Sequence, residues 1–206
     1  MESFIIGFLE NYGYFGVFLL IFIENLFPPI PSEVILGLGG FFTTSTDLNY
    51  FGVVIFATIG SVLGAIILYY IGYYINSDRV KNLLRKGNKI LQVKGGKLDK
   101  AMEIYKKYAS VSVFVCRMIP IIRSIISVPA GMAKMNIGKF IGLTALGSLI
   151  WNSIITYLGV YLGDNWIQIE VLIKEYTVIV FGAILIVGLG YIFYRIKKKK
   201  KEGKDS

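Results

Sequence analysis

Apolar residues run along this chain in long blocks, without the three-and-four spacing of a water-facing helix or the alternation of a half-buried strand. The blocks at 50–75, 140–162 and 176–194 each suffice to cross a hydrocarbon layer of roughly 30 Å, which takes about 20 helical residues. Two further blocks, 12–42 and 109–132, are as apolar but are interrupted by proline and charge. Between them, Val80, Leu83, Leu84, Ile90 and Leu91 recur at helical spacing among Lys81, Arg85, Lys86 and Lys89, the pattern of an amphipathic helix lying in a membrane interface. Gly95 and Gly96 end it, and Leu98, Met102 and Tyr105 continue in a second short helix. Phe4, Ile5, Phe8 and Leu9 predict another at the amino terminus. The pattern predicts an all-α integral membrane protein with about three full transmembrane helices, interfacial amphipathic helices and two broken segments. Residues 1–195 form a single membrane domain, and 196–206 form a basic tail.

The first broken segment contains Glu24, Glu33 and three prolines, Pro28, Pro29 and Pro31. On an unbroken helix the two carboxylates, nine residues apart, would face opposite sides and one would meet lipid. Each proline removes an N–H and biases its predecessor away from the helical region, so the chain turns. A re-entrant hairpin is expected, with arms 12–26 and 32–41, Ser32 capping the second arm, and both carboxylates facing one interior point. Non-helical backbone at membrane depth is tolerated only inside protein or along a wet cavity. The second broken segment repeats the device with the opposite sign. Arg117 and Arg123 are six residues apart with Pro120 midway, about 240° round an unbroken helix, and a break lets both guanidiniums converge. Pro129 and Gly131 mark a further disruption before a turn at Lys134.

The two halves look related. A shift of 87 residues aligns Gly60 with Gly147, Ser61 with Ser148, Tyr70 with Tyr157, Gly72 with Gly159 and Tyr74 with Tyr161. Each set follows a broken segment, so the sequence predicts an internal repeat built round paired re-entrant hairpins. Paired discontinuous helices of this kind mark the binding site in inverted-repeat transporters.

Charge orients the repeat. Of the 22 Lys and Arg, ten lie between Arg79 and Lys107 and seven between Arg195 and Lys204. Basic residues stay cytoplasmic, which places the middle segment, the turn at Lys134 to Lys139 and the carboxyl terminus inside. The net charge of +9 is thereby accounted for by topology and by contact with anionic membrane lipids, and no nucleic-acid partner is implied. The halves are then oppositely inserted. The amino terminus has no basic region before its apolar run, so no removable signal peptide is expected.

Composition narrows the chemistry. The chain of 206 residues is 55% hydrophobic and 17% charged, with a mean hydropathy of +0.64, outside the usual range of soluble domains. It has no histidine, which excludes Ser-His-Asp hydrolysis and phosphatases that attack with imidazole. The single cysteine, Cys116, excludes an internal disulfide and a cysteine-rich zinc site, and it reads as a packing residue. No cofactor or metal is implied, and protons that move here must be carried by carboxylates.

Ionisable residues inside a membrane are functional candidates by default. Glu24, Glu33, Arg117 and Arg123 can be two structural ion pairs. Alternatively, the arginines bind an anion and the carboxylates compensate them in its absence. The two readings combine if a phosphate displaces a carboxylate from its arginine. Arg117 and Arg123 are therefore the expected substrate-binding pair and Glu24 and Glu33 the proton-coupling pair. Asn152, inside a span, is read as lining the same cavity, with hydrogen bonding across helices as its alternative. Gly60 and Gly64 are read as close helix packing.

The motifs E-x-x-x-P-x-x-P-S-E from Glu24 to Glu33 and F-x-x-R-x-x-P-x-x-R from Phe114 to Arg123, followed by PAGM, resemble the signatures of the DedA family. This is a bacterial branch of the SNARE-associated, or VTT-domain, superfamily. The resemblance covers roughly 12–163 and implies lipid translocation across the bacterial plasma membrane, with an acidic pair and an arginine pair required. Those are Glu24, Glu33, Arg117 and Arg123 here. The form FPPIPSEVIL resembles the branch that recycles undecaprenyl phosphate, the lipid carrier of envelope synthesis. Two arginines suit its phosphate monoester, held bidentately. Alternatives are a phosphatidylethanolamine flippase or scramblase, and a cation/proton antiporter using the two carboxylates. An enzyme such as a lipid phosphatase is not expected, since Ser124 is the only candidate nucleophile and the sequence shows no base for it.

Overall fold

In a computed structural model, the described residues are 2–27, 31–75, 108–120, 122–165, 168–169, 171–173, 175–180 and 182. The chain divides into a larger unit, residues 1–169, and a smaller one, 170–206. In the smaller unit, 171–173 and 175–180 are helical. The amphipathic helices expected at 79–105, most of the expected span at 176–194 and the boundary at 195/196 lie outside the described residues.

The described elements are all helical, with no strand among them: α1 (Glu2–Leu26), α2 (Ser32–Ser45), α3 (Tyr50–Ile75), α4 (108–116), α5 (Ile122–Ile125), α6 (Ser127–Met132) and α7 (Ile137–Leu162), followed by a 3-10 turn at Gly163–Asn165. Among the described residues, three helices are long and apolar enough to cross a membrane: Phe4–Leu26, Tyr50–Ile75 and Ile137–Leu162. The second and third were expected as spans. The first combines the small amino-terminal helix and the first hairpin arm, joined at Gly13, whose φ of 50° and ψ of −125° interrupt the helix. That conformation suits glycine, which has no Cβ to clash. Outward faces of these helices carry exposed Phe15, Ile59, Leu63, Leu146 and Ile154, as lipid-facing surfaces require.

The breaks fall where proline and charge placed them. Helix α1 stops at Leu26 and α2 starts at Ser32, across the segment with Pro28 and Pro29, which lie outside the described residues. Pro31 is the N-cap of α2 in extended conformation. Ser32 is therefore the first helical residue and caps nothing, because a proline N-cap already starts the helix. At the second break the chain leaves α4 through tight turns, Arg117 N–H to Phe114 O at 3.2 Å and Met118 N–H to Val115 O at 3.0 Å, and passes Pro120 before α5. Pro129 lies within α6, and α5 ends at Ile125, whose carbonyl would have accepted the N–H that proline lacks; the backbone at Ile126 between them stays helical.

The repeat appears as reciprocal packing. On α3, a side chain at Gly72 would overlap the Val128 carbonyl of α6, and one at Gly131 of α6 would overlap the Tyr69 carbonyl. On α7, Gly159 meets the Gly37 carbonyl of α2 in the same way, and Gly40 of α2 meets the Thr156 carbonyl. Tyr69 and Thr156, and Gly72 and Gly159, are related by the 87-residue shift. The second arm of each broken segment thus rests on the long helix of the other half. Within the halves, Gly60 and Gly64 bring α3 onto α1 at Phe18, Phe22 and Asn25, and Gly147 brings α7 onto Phe114 and Arg117.

These seams yield a stability prediction. Gly72→Ala and Gly159→Ala force helix backbones apart and each lowers stability by about 1–3 kcal/mol. Gly142→Ala, where nothing lies within 4 Å, costs nothing. Thermal unfolding in detergent separates the two classes.

Candidate functional site

Both breaks deliver polar groups to one interior point. Glu24 and Asn25 lie in the last turn of α1, Arg117 follows α4, Arg123 and Ser124 sit in α5, and Ser127 opens α6. Ser61 on α3 and Thr144 on α7 complete the wall. All are buried: Arg117, Asn25, Ser61, Ser124 and Ser127 at 0%, Arg123 and Thr144 at 1%, and Glu24 at 4% exposure.

The arginines are compensated differently. Arg123 Nη2 lies 3.7 Å from Glu24 Oε2 and donates to Ser61 Oγ at 3.2 Å. Arg117 contacts neutral oxygens: Ser127 Oγ at 2.9 Å, Thr144 Oγ1 at 3.5 Å and Asn25 Oδ1 at 3.4 Å. Asn25 also donates to Glu24 Oε2 at 3.2 Å, so it bridges the carboxylate and the second guanidinium. Glu33, in the first turn of α2 and 8% exposed, lies within electrostatic reach of Glu24, but its carboxylate has no ion-pair partner among the described residues. Among the described residues the two-ion-pair arrangement is therefore not formed, and a single pair is present, at 3.7 Å.

Donors remain. Arg123 Nη1 and Nε and Arg117 Nε are buried with no hydrogen-bond partner among the described residues. Guanidinium N–H groups only donate, so what completes this site is an acceptor. Ser124 Oγ donates to Glu24 Oε1 at 3.4 Å, and the base that the sequence did not show beside Ser124 is Glu24, brought there by tertiary structure. Among the described residues, Asn152 has no hydrogen bond to either arginine. It is fully buried on α7, eight residues beyond Thr144 or about 12 Å along the axis, and Nδ2 donates to Thr58 Oγ1 on α3 at 3.2 Å.

Sequence reasoning missed Asn25, Ser61, Ser127 and Thr144. Two signals pointed to them: an amide beside Glu24 in an apolar run, and the Ser61–Ser148 match within the repeat.

Comparison with known proteins identifies the family. The sequence profile of the VTT domain matches residues 30–161. The chain belongs to the VTT-domain family. Among VTT-domain relatives, "Undecaprenyl phosphate transporter A" of Staphylococcus aureus is 34% identical over 98% of this chain and 99% of its own. The Bacillus subtilis protein of the same name is 34% identical over 95% and 93%. A Lactococcus lactis protein named "Alkaline phosphatase-like protein" is 48% identical over 92% of this chain and 90% of its own. No solved structure matches.

In this VTT-domain protein, removing Glu24 alone leaves Arg123 buried beside Ser61 with its charge uncompensated. Glu24→Ala is expected to destabilise by about 3–5 kcal/mol. The double variant Glu24→Gln/Arg123→Met, which removes both charges, recovers most of that loss in denaturant unfolding.

Proposed function

We propose that the protein is a lipid transporter that moves undecaprenyl phosphate across the bacterial plasma membrane in lipid-carrier recycling, coupled to protons. The observation that carries this reading is the set of unpartnered, buried N–H groups on Arg117 and Arg123. A phosphate monoester supplies several acceptor oxygens at once and suits the planar fork of arginine. It replaces the neutral oxygens around Arg117 and the distant Glu24 contact of Arg123 without leaving a guanidinium bare.

Helix lengths support a site at mid-membrane. The 13 residues 14–26 and the 14 of α2 extend about 20 Å each, two thirds of the hydrocarbon thickness. Arms of that length stop short of crossing the layer, which supports a re-entrant first segment, and the charge pattern supports a cytoplasmic carboxyl terminus. The lipid name comes from the Staphylococcus and Bacillus relatives. A zwitterionic head group would need a cation site as well, and Glu33 is the carboxylate free to provide one, so phosphatidylethanolamine is the competing substrate.

Coupling falls to Glu24 and Glu33. When phosphate claims the arginines, Glu24 loses its counter-charge while Glu33 remains near it, and proton uptake relieves the repulsion. A second reading, a lipid phosphatase, draws on the Ser124–Glu24 contact and on the name of the Lactococcus relative. Glu24, however, is already engaged by Arg123 and Asn25, which weakens it as a base for Ser124.

Proteoliposomes distinguish the readings. Purified protein is expected to move undecaprenyl phosphate faster than phosphatidylethanolamine without releasing inorganic phosphate; catalytic phosphate release would establish the phosphatase instead. Arg117→Lys and Arg123→Lys keep the charge but lose the fork, and each is expected to slow transport by about tenfold or more, on the scale of one lost charge-assisted hydrogen bond. Full transport by both would leave the arginines a charge-only role. Glu24→Gln and Glu33→Gln mimic the protonated state and are expected to bind lipid while losing the response to an imposed proton gradient.

A further inference from the structure

From Thr144 at the arginine site, α7 carries a polar stripe onward whose further members phosphate binding does not use. Thr144, Ser148, Asn152 and Thr156 recur every fourth residue along one face, all at 0–1% exposure. Ser148 Oγ, Asn152 Oδ1 and Thr156 Oγ1 have no hydrogen-bond partner among the described residues. Hydroxyls in apolar helices ordinarily bond back to a carbonyl of the preceding turn. Thr43, Thr44 and Thr58 do so, onto Gly40, Phe41 and Val54 at 2.7 Å each. Ser148 and Thr156 do not, and each lies deeper in protein than those three.

The chemistry of the rungs selects what satisfies them. Thr58 Oγ1 spends its only proton on Val54 O, so it can only accept from Asn152, and the amide must present Nδ2 to it. That leaves Asn152 Oδ1, an acceptor, without a donor among the described residues. An anion cannot satisfy it, and α7 holds no cation between Thr144 and Thr156, so lipid phosphate belongs at the arginines and not on this ladder. A metal cation needs several oxygens converging on one point, whereas successive rungs are separated by about 6 Å of helix rise. Water fits. One molecule hydrogen-bonded at ~2.8 Å on either side bridges about 5.6 Å, the spacing of the rungs, and it donates to or accepts from each as required.

We propose that the Thr144–Ser148–Asn152–Thr156 face of α7 lines a file of water between the α2–α7 seam at Gly40 and the buried charge cluster, and that this file delivers the protons of coupled transport when that seam parts. Its inner end has two links to the cluster. Thr144 accepts from Arg117. Thr58, bonded to Asn152, lies one turn of α3 from Ser61, which accepts from Arg123 beside Glu24. The charged groups facing that end are Glu24 from α1, Glu33 from α2, and Arg117 and Arg123 from the second break; α3 has no charged residue and α7 only Lys139. A proton enters from solvent as hydronium, passes along the waters and ends on the Glu24 carboxylate, leaving water behind. The water file rests on the geometry of α7 alone, and its use for protons rests on the transport reading above.

Two arms test it separately. In a Cys116→Ala background, Ser148→Cys, Thr156→Cys and, as a dry control, Ile155→Cys are exposed to silver ion, which follows water to a thiol. The fraction capped is read by thiol labelling after unfolding. Capping at 148 and 156 is expected about tenfold faster than at 155; equal rates, or none at 148 and 156, overturn the file whatever the protein transports. In the second arm, the near-isosteric Ser148→Ala/Thr156→Val variant is expected to bind undecaprenyl phosphate as the parent does but to lose about nine tenths of its gradient-driven rate. A parental response to the gradient overturns the proton role. A parent that moves no undecaprenyl phosphate refutes the transport reading and with it the proton role, while the silver arm still decides the file.

Discussion

Two guanidiniums held out of water set the terms for the rest of this protein. Moving one ion from water to a protein interior costs several kcal/mol even after relaxation, and Arg117 and Arg123 are 0% and 1% exposed. Arginine cannot escape by losing its proton, so surrounding groups must compensate it. That requirement explains why polar residues arrive from α1, α3, α5, α6 and α7 at one place, and why α4 ends at 116 so that Arg117 can leave the helical path. It also explains the glycine at 147: any Cβ there would stand 2.8 Å from Arg117 Cβ.

The compensation is incomplete in an informative way. Arg123 has a carboxylate at 3.7 Å and Arg117 has only hydroxyls and an amide, while three of their nitrogens have no acceptor among the described residues. A site built solely for stability would use closer, bidentate pairs or no charge at all, since a buried pair rarely outperforms apolar packing. Weak, replaceable contacts around a strong donor set suit a ligand that comes and goes. The same cluster brings Ser124 to Glu24, so the transporter and phosphatase readings share one geometry and differ in whether a bond to phosphorus is made.

The glycine seams connect this chemistry to motion. In inverted-repeat transporters one repeat moves against another round a fixed site. Here the arms α2 and α6 lie on the long helix of the opposite half with backbones in direct contact, and small residues at such seams let helices shift without side-chain interlock. On the proposed reading, those seams are the surfaces that move, and the charge cluster between the breaks is what they alternately expose.

The sequence by itself determined the helical class, the spans at 50–75 and 140–162, the two breaks and the four intramembrane charges, because lipid admits few backbones and penalises every polar residue it meets. The repeat was also legible, since Gly60, Gly72, Gly147 and Gly159 occupy matching places. At Pro129 the helix is interrupted in its hydrogen bonding, with α5 ending at Ile125, while its backbone path continues through Ile126. Ser32 was misread as a cap because which residue starts α2 depends on how Pro31 turns. Which charge pairs with which was decided only by tertiary structure. Glu24 took Arg123, Arg117 took neutral oxygens from Asn25, Ser127 and Thr144, and Glu33 took no ionic partner among the described residues. Periodicity reports the face a residue occupies on its own helix, whereas a pairing depends on how separate helices are offset and rotated. In this protein close glycine contacts set those offsets, through distances of an ångström or two that no residue pattern records.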